Sequence, residues 1–302
     1  MNLLDHRLLI VSGKGGVGKT TISLALGLIA AKQGKKVLIA EVNSEEQVAH
    51  LLRHPPIGYQ ETELLPTLWP SLWGINIDPK KAFEEYVLLQ IKFRGLYRAV
   101  FENRFVRRLI DATPGLADLM LIGKIYDLID HYDLVIVDSP ATGHGMALLE
   151  IPSIVSRAVR VGPLQTEAEK IDLLLHDPAK TKIVLVTLPE EMPVAETVEM
   201  KRNLENRLKL SLGPVLLNQI QTHPFQKEEL REIKKFRRDR ESEDPISLIL
   251  EFQIGRAELS REYASRLSEE INDLPILSVP FIYSSQFGLT EIQMIAGEIE
   301  KQ

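Results

Sequence analysis

The sequence predicts an α/β protein built on a mostly parallel, doubly wound sheet. Short apolar runs alternate with longer segments of helical period, the signature of strands joined by helical crossovers. Several runs lack polar alternation, as strands covered on both faces do. A glycine-rich segment, Gly13 to Gly18, sits between the first run and the first helical segment, where such a sheet places its ligand loop.

Taken in order, the strand-like runs are residues 8–12, 36–41, 72–77, 134–138, 183–187, 214–218 and 276–279. Between the first two, residues 20–33 are rich in Leu and Ala and end before Gly34, a helix stop. Residues 79–130 show helical period and no strand pattern, which predicts a helical subdomain inserted into a single domain spanning 1–302. A second helical stretch, 225–271, precedes the last strand. Its segment 227–244 holds seven basic and seven acidic residues, the composition of a solvated helix laced with ion pairs.

Composition narrows the function classes. The chain has 302 residues, 36 basic and 42 acidic, for a formal charge of −6; 44% are hydrophobic and 26% charged. That is ample apolar material for a core, and length alone suggests about two domains. The acidic balance argues against nucleic acid as a partner. There is no cysteine, which excludes disulfides, thiolate zinc sites, iron–sulfur clusters and a cysteine nucleophile. The first residues do not read as a secretory signal, and no window approaches the roughly 18 apolar residues of a membrane span. The expectation is a cytoplasmic protein with no stable membrane insertion.

The segment Ser12-Gly13-Lys14-Gly15-Gly16-Val17-Gly18-Lys19-Thr20-Thr21 fits two motifs. Gly13, Gly15 and Gly18 satisfy G-x-G-x-x-G, and Glu41 ends the second strand where an acid would hold a dinucleotide's ribose. Gly13, Gly18, Lys19 and Thr20 also satisfy G-x-x-x-x-G-K-[ST], the phosphate loop (P-loop) of nucleoside triphosphatases. The Lys-Thr pair favours the second reading. Small residues let backbone N–H groups turn toward a polyphosphate at a helix N-terminus. Lys19 then neutralises phosphate charge and the Thr20 hydroxyl reaches Mg²⁺; a dinucleotide fold needs neither. The carboxylate of Asp138, ending an apolar strand, suits a Walker B role toward the same ion.

Lys14 extends the motif to K-G-G-x-G-K-T-T, the deviant Walker A pattern, which resembles the arsenite-pump ATPase family. Relatives of that family include the tail-anchored-protein targeting ATPase, MinD/ParA-type ATPases and nitrogenase iron protein. Asp138-Ser139-Pro140-Ala141-Thr142-Gly143-His144 is similar to the family's D-T-A-P-T-G-H switch, and 214–219 to its V-V-N-[QR] strand end. Val279-Pro280 resembles its last nucleotide-side loop, and Asn76-Ile77-Asp78-Pro79 a strand leading into the helical subdomain. The resemblance implies a P-loop ATPase using ATP/ADP and Mg²⁺. Gly13, Gly15, Gly16, Val17, Gly18, Lys19, Thr20 and Thr21 would line the phosphates, and Thr20 and Asp138 would organise Mg²⁺. Gly143 would approach the γ-phosphate, Asn218 would read adenine, and Pro280 would border the nucleotide. Lys14 would act across a dimer interface, implying a homodimer or a heterodimer with a paralogue.

The chain departs from the family in three respects. Without cysteine it has neither arsenite-binding thiolates nor the C-x-x-C zinc clamp of the eukaryotic targeting ATPase. Only about 30 residues without methionine separate Pro152 from Lys182, so a long Met-rich client-binding insert is absent there. Finally, Asn43 stands where D-P-A supplies the water-positioning aspartate. Asn orients water but accepts no proton, which predicts slow hydrolysis unless Glu41, Glu45 or Glu46 substitutes. A nucleotide-binding scaffold with negligible turnover is the alternative, and an NAD-dependent oxidoreductase the remaining one. A protein client would meet the helical subdomain, where Phe93, Leu96, Tyr97, Val100 and Phe101 lie among Lys92, Arg94, Arg98, Arg104, Arg107 and Arg108.

Overall fold

The computed structural model describes residues 2–42, 44–90, 115–140, 142–159, 161–222, 225, 228, 229, 231 and 245–302. Eight strands form one sheet: β1 (Leu8–Ser12), β2 (Val37–Val42), β3 (Thr62–Leu65), β4 (Trp69–Ile77), β5 (Leu134–Asp138), β6 (Thr181–Thr187), β7 (Leu212–Ile220) and β8 (Ile276–Pro280). Their order is β3-β4-β2-β5-β1-β6-β7-β8. Only β3 runs antiparallel to its neighbour; the other pairs described are parallel.

The helices are α1 (Lys19–Lys32), α2 (Gln47–Leu52), α3 (Pro79–Gln90), α4 (Leu116–Ile129), α5 (Thr142–Ala158), α6 (Pro163–His176), α7 (Glu191–Arg202), α8 (Pro245–Glu270) and α9 (Leu289–Glu300). They cover both faces of the sheet, which explains the unalternated strand sequences. Within β1, Leu9 and Val11 face one layer with α1, α2 and α9. Leu8 and Ile10 face the other, with α4, α5, α6, α7 and α8. Residues two apart along a strand share a face. Val37 and Ile39 of β2 and Leu134 and Ile136 of β5 therefore join the α1 layer, while Leu38, Ala40, Val135 and Val137 join the opposite one. Helix α1 comes close to the strands at Gly27, which the Cδ1 atoms of Ile39 and Leu72 leave no room to enlarge.

Six of the seven strand runs read from sequence fall within observed strands, and the seventh, 36–41, overlaps β2 but begins one residue before it, at Lys36. The addition is β3, four residues of Thr-Glu-Leu-Leu too short to give a period. It forms by pairing with β4 and by lodging Leu64 over Gly74, a contact between residues ten apart in sequence. The predicted helical region supplies α3 and α4, and α4 buries Leu119, Met120, Leu121, Ile122 and Ile125 in the layer under the sheet. Residues 91–114, which carry the aromatic and arginine cluster, lie outside the described residues, as do 232–244 of the charge-balanced segment.

The winding direction places the site. From β1 the chain crosses on the α1 face to β2; from β5 it returns on the other face, through α5 and α6, to β6 on the far side of β1. Loops at the carboxyl ends of β1, β2 and β5 therefore part around a crevice, where open α/β sheets bind ligands. The stability of that framework rests on the α1 layer. Ile39→Ala, which empties a fully buried position against Gly27, should lower unfolding free energy by about 2–5 kcal/mol in urea titrations, without changing the far-UV spectrum.

Candidate functional site

The glycine loop leaves β1 and enters α1 through backbone conformations that require glycine. Gly13 has φ 154° and Gly18 φ 94°. A Cβ on Gly13 would overlap the Val186 carbonyl of β6, and one on Gly18 would overlap the Asn218 side-chain amide of β7. Gly16 also has positive φ, but space above it is open. Gly15 and Gly16 are the exposed crest of the loop, while Val17 turns its side chain into the α1-layer core and anchors it.

Lys19, the first residue of α1, folds back so that its Nζ donates to the carbonyls of Gly13 at 3.1 Å and Lys14 at 3.0 Å. Burial pushes its ammonium below the ordinary lysine range, and the charge on Asp138 opposes that shift. The next residue reaches the neighbouring strand: Thr20 Oγ1 donates to Asp138 Oδ2 at 2.5 Å. Asp138 Oδ1 is buried with no hydrogen-bond partner, and Ser23 Oγ is unpartnered as well. Burial raises the Asp138 pKa to about 6, against the opposing effects of the Thr20 hydroxyl, the Lys19 charge and the nearby Ser23. A hydroxyl, a carboxylate and an orphaned buried carboxylate oxygen are the hard oxygen donors Mg²⁺ takes, so these residues fit that ion.

Asn43 lies outside the described residues, but both flanks of it are held. Asn76 of β4 brackets Ser44, accepting from Ser44 N at 3.3 Å and donating to Ser44 O at 2.9 Å. Glu41, wholly buried near the end of β2, accepts from Ser44 Oγ at 2.6 Å and Val48 N at 3.2 Å. The Glu46 carboxylate is committed to the N–H groups of Ile57 and Gly58, both at 2.9 Å. Glu45 is exposed.

Asn218 is buried at the loop's base. Its Nδ2 donates to Val17 O at 2.8 Å and its Oδ1 accepts from Gln219 N at 3.0 Å, leaving one N–H and one lone pair for another partner. Pro280 ends β8 alongside Ile220 of β7, and Gly143 lies in the first turn of α5. Lys14, which resemblance assigns to a dimer partner, pairs within its own chain with Glu196 of α7 at 2.7 Å. Thus Lys19, Thr20, Asp138, Val17 and Asn218 converge on one end of β1. Glu196 carries no motif, and in sequence Asn76 is legible only as part of a strand ending; their roles depend on contacts 32 to 182 residues away in sequence. Among the described residues no group of three or more His, Cys, Asp or Glu is placed to hold a metal, and no helix is long and apolar enough to cross a membrane.

The buried Asp138 charge gives a stability prediction. An acid whose folded pKa stands above its unfolded value of 3.8 costs stability at pH above about 6, and that cost disappears as pH falls through this window. Keeping this carboxylate ionised in its buried site costs on the order of 2–3 kcal/mol. Asp138→Asn should therefore stabilise the nucleotide-free protein in urea unfolding at pH 7.5, with its advantage over wild type shrinking toward pH 5.

Comparison with known proteins finds relatives named as ATPases. ATPase BagA of Mycobacterium tuberculosis is 35% identical over 221 residues, 70% of this chain and 64% of the relative. The chain thus spans less than two thirds of that relative's length. ATPase ASNA1 homolog 1 of Paramecium tetraurelia is 24% identical over 260 residues, covering 72% of this chain and 77% of its own. The arsenical pump-driving ATPase of Escherichia coli is 29% identical over 210 residues, 67% of this chain and 33% of that protein. The model of the anion-transporting ATPase family matches residues 6–165, more than half of the chain and including the glycine loop, Asp138 and Gly143. The chain belongs to the anion-transporting ATPase family.

Proposed function

We propose that this chain binds ATP with Mg²⁺ at the carboxyl end of β1 and hydrolyses it slowly to ADP and phosphate. In this reading it is the dimeric, cytoplasmic switch that couples nucleotide state to a protein client. The observation that carries the proposal is the convergence of Lys19, Thr20 and Asp138 on one glycine loop. Backbone N–H groups of 15–21 and the N-terminal end of α1 favour a polyphosphate there. Lys19, partly desolvated and tethered to two carbonyls, would exchange those neutral acceptors for phosphate oxygens. Thr20 and Asp138 would hold the metal, which would supply positive charge to offset that of the phosphates. Asn218 keeps one donor and one acceptor for the adenine edge while its other hydrogen bonds brace the loop.

Lys14 reaches a partner's nucleotide only by leaving Glu196. Both side chains are about one-third exposed, and such an ion pair contributes about 0–1 kcal/mol, less than a charge-assisted contact to phosphate. The cis pair therefore does not prevent assembly of a homodimer or a heterodimer with a paralogue. The segments after β2 and β5, bearing Asn43 and Gly143, would respond to the γ-phosphate and relax on its loss. Clients would approach the segment 79–130, of which α3 and α4 are described.

Phosphate release from purified protein tests the proposal. Lys19→Ala and Lys14→Ala should each reduce turnover by about a hundredfold or more, the scale of removing one charge-stabilising donor. Unchanged release in either variant would overturn that residue's role. A specific observation favours a second reading, a nucleotide-holding scaffold: Asn43 lacks the proton-accepting oxygen of an aspartate. Asn43→Asp should raise turnover about tenfold or more by restoring general-base assistance. An unaltered rate would remove Asn43 as the cause of slow hydrolysis.

A further inference from the structure

The carboxylate beneath the phosphate loop is not alone. Glu41 of β2 and Asp138 of β5 are paired in register on adjacent parallel strands. Both project to the α1 face, since Ile39 and Ile136, two residues earlier on each strand, lie in that layer. Glu41 is entirely shielded from solvent. Its Oε1 is occupied by the Ser44 hydroxyl and the Val48 N–H. Its Oε2 is buried without a partner, as is Asp138 Oδ1. Among the described residues the charges that act on Glu41 are those of Asp138 and Glu46, both negative.

Two buried carboxylates side by side, each with an oxygen left free, are costly in an apolar layer. Val37 and Ile39 fill the preceding α1-face positions of β2 with hydrocarbon, so packing alone does not call for an acid at 41. Buried charges are ordinarily paired or bound to metal, and hard divalent cations take carboxylate and hydroxyl oxygens.

We infer that Glu41 supplies a second carboxylate to the cation site of Thr20 and Asp138, so that the protein holds a divalent cation before nucleotide arrives. The inference rests on the Mg²⁺ reading above and extends it. An ion attracted by two carboxylates does not depend on phosphate charge to be retained, whereas one attracted by Asp138 alone does. Glu41 thereby sets cation affinity in the empty enzyme, and through Ser44 it couples that site to the segment carrying Asn43.

Titration of the nucleotide-free full chain with Mn²⁺, followed by the loss of the free-ion electron paramagnetic resonance signal, tests this. Wild type should bind one ion per chain, displaced by excess Mg²⁺. Glu41→Gln and Asp138→Asn should each weaken binding about tenfold or more, while Ser44→Ala, which leaves both free oxygens in place, should stay within about threefold. Absence of saturable Mn²⁺ binding by wild type, or wild-type affinity in Glu41→Gln, would overturn the inference. If far-UV circular dichroism shows Glu41→Gln unfolded, Glu41→Asp replaces it. Its shorter reach should also weaken binding, and wild-type affinity there would equally overturn the inference. A fluorescent ATP analogue separates the two readings. Nucleotide binding without a nucleotide-independent Mn²⁺ site defeats only this inference. Mn²⁺ binding lost in Glu41→Gln, with no analogue bound, supports it and defeats the ATP reading.

Discussion

The hydrogen bond from the Thr20 hydroxyl to the Asp138 carboxylate joins the first turn of α1 to the end of β5. Most of what is distinctive here depends on that tie. It draws the helix that follows the glycine loop over the strand beside β1, so the loop has to pass through a gap closed on the other side by Val186 and Asn218. Only residues without Cβ pass at 13 and 18, and Lys19 then folds back across the loop's own carbonyls. A polar contact between elements 118 residues apart thus shapes the loop together with the burial of Val17 and the hydrogen bond from Asn218.

The energetics of this region oppose those of the sheet that carries it. Two apolar layers enclose the strands, and most side chains of β1, β2 and β5 contribute to one or the other. At the carboxyl ends of β2 and β5 that pattern breaks, and Glu41 and Asp138 are buried where Ile or Val would pack better. Hydrophobic burial elsewhere offsets the cost. Local rules are broken in this way at functional sites, where charge is held ready for a ligand. The ordering around Ser44 serves the same end: Asn76, Glu41 and Glu46 satisfy the backbone there with side chains drawn from β2, β4 and the loop between β2 and α2.

Membership of the anion-transporting ATPase family and the absence of cysteine act on each other. The nucleotide-side features persist in this chain without a thiol anywhere in it. The proposed phosphate site needs no thiolate: it is composed of backbone amides, one lysine, a hydroxyl and carboxylates.

Much of the fold was legible in the amino-acid order because it follows from local rules. Doubly covered strands read as unbroken apolar runs, and the glycine loop with Lys19 and Thr20 states its own chemistry through residue type and spacing. Asp138 was readable too, being a carboxylate closing an apolar strand. What the tertiary structure alone decided are relations between distant residues. These include β3, which exists because β4 lies beside it, and the pairing of Lys14 with Glu196 across 182 residues. They also include the commitment of Asn218 to the loop and the alignment of Glu41 with Asp138. Periodicity and motif report what a residue is and which face it takes. Which strand becomes its neighbour, and which of its oxygens is left without a partner, emerges only when the sheet closes around the site.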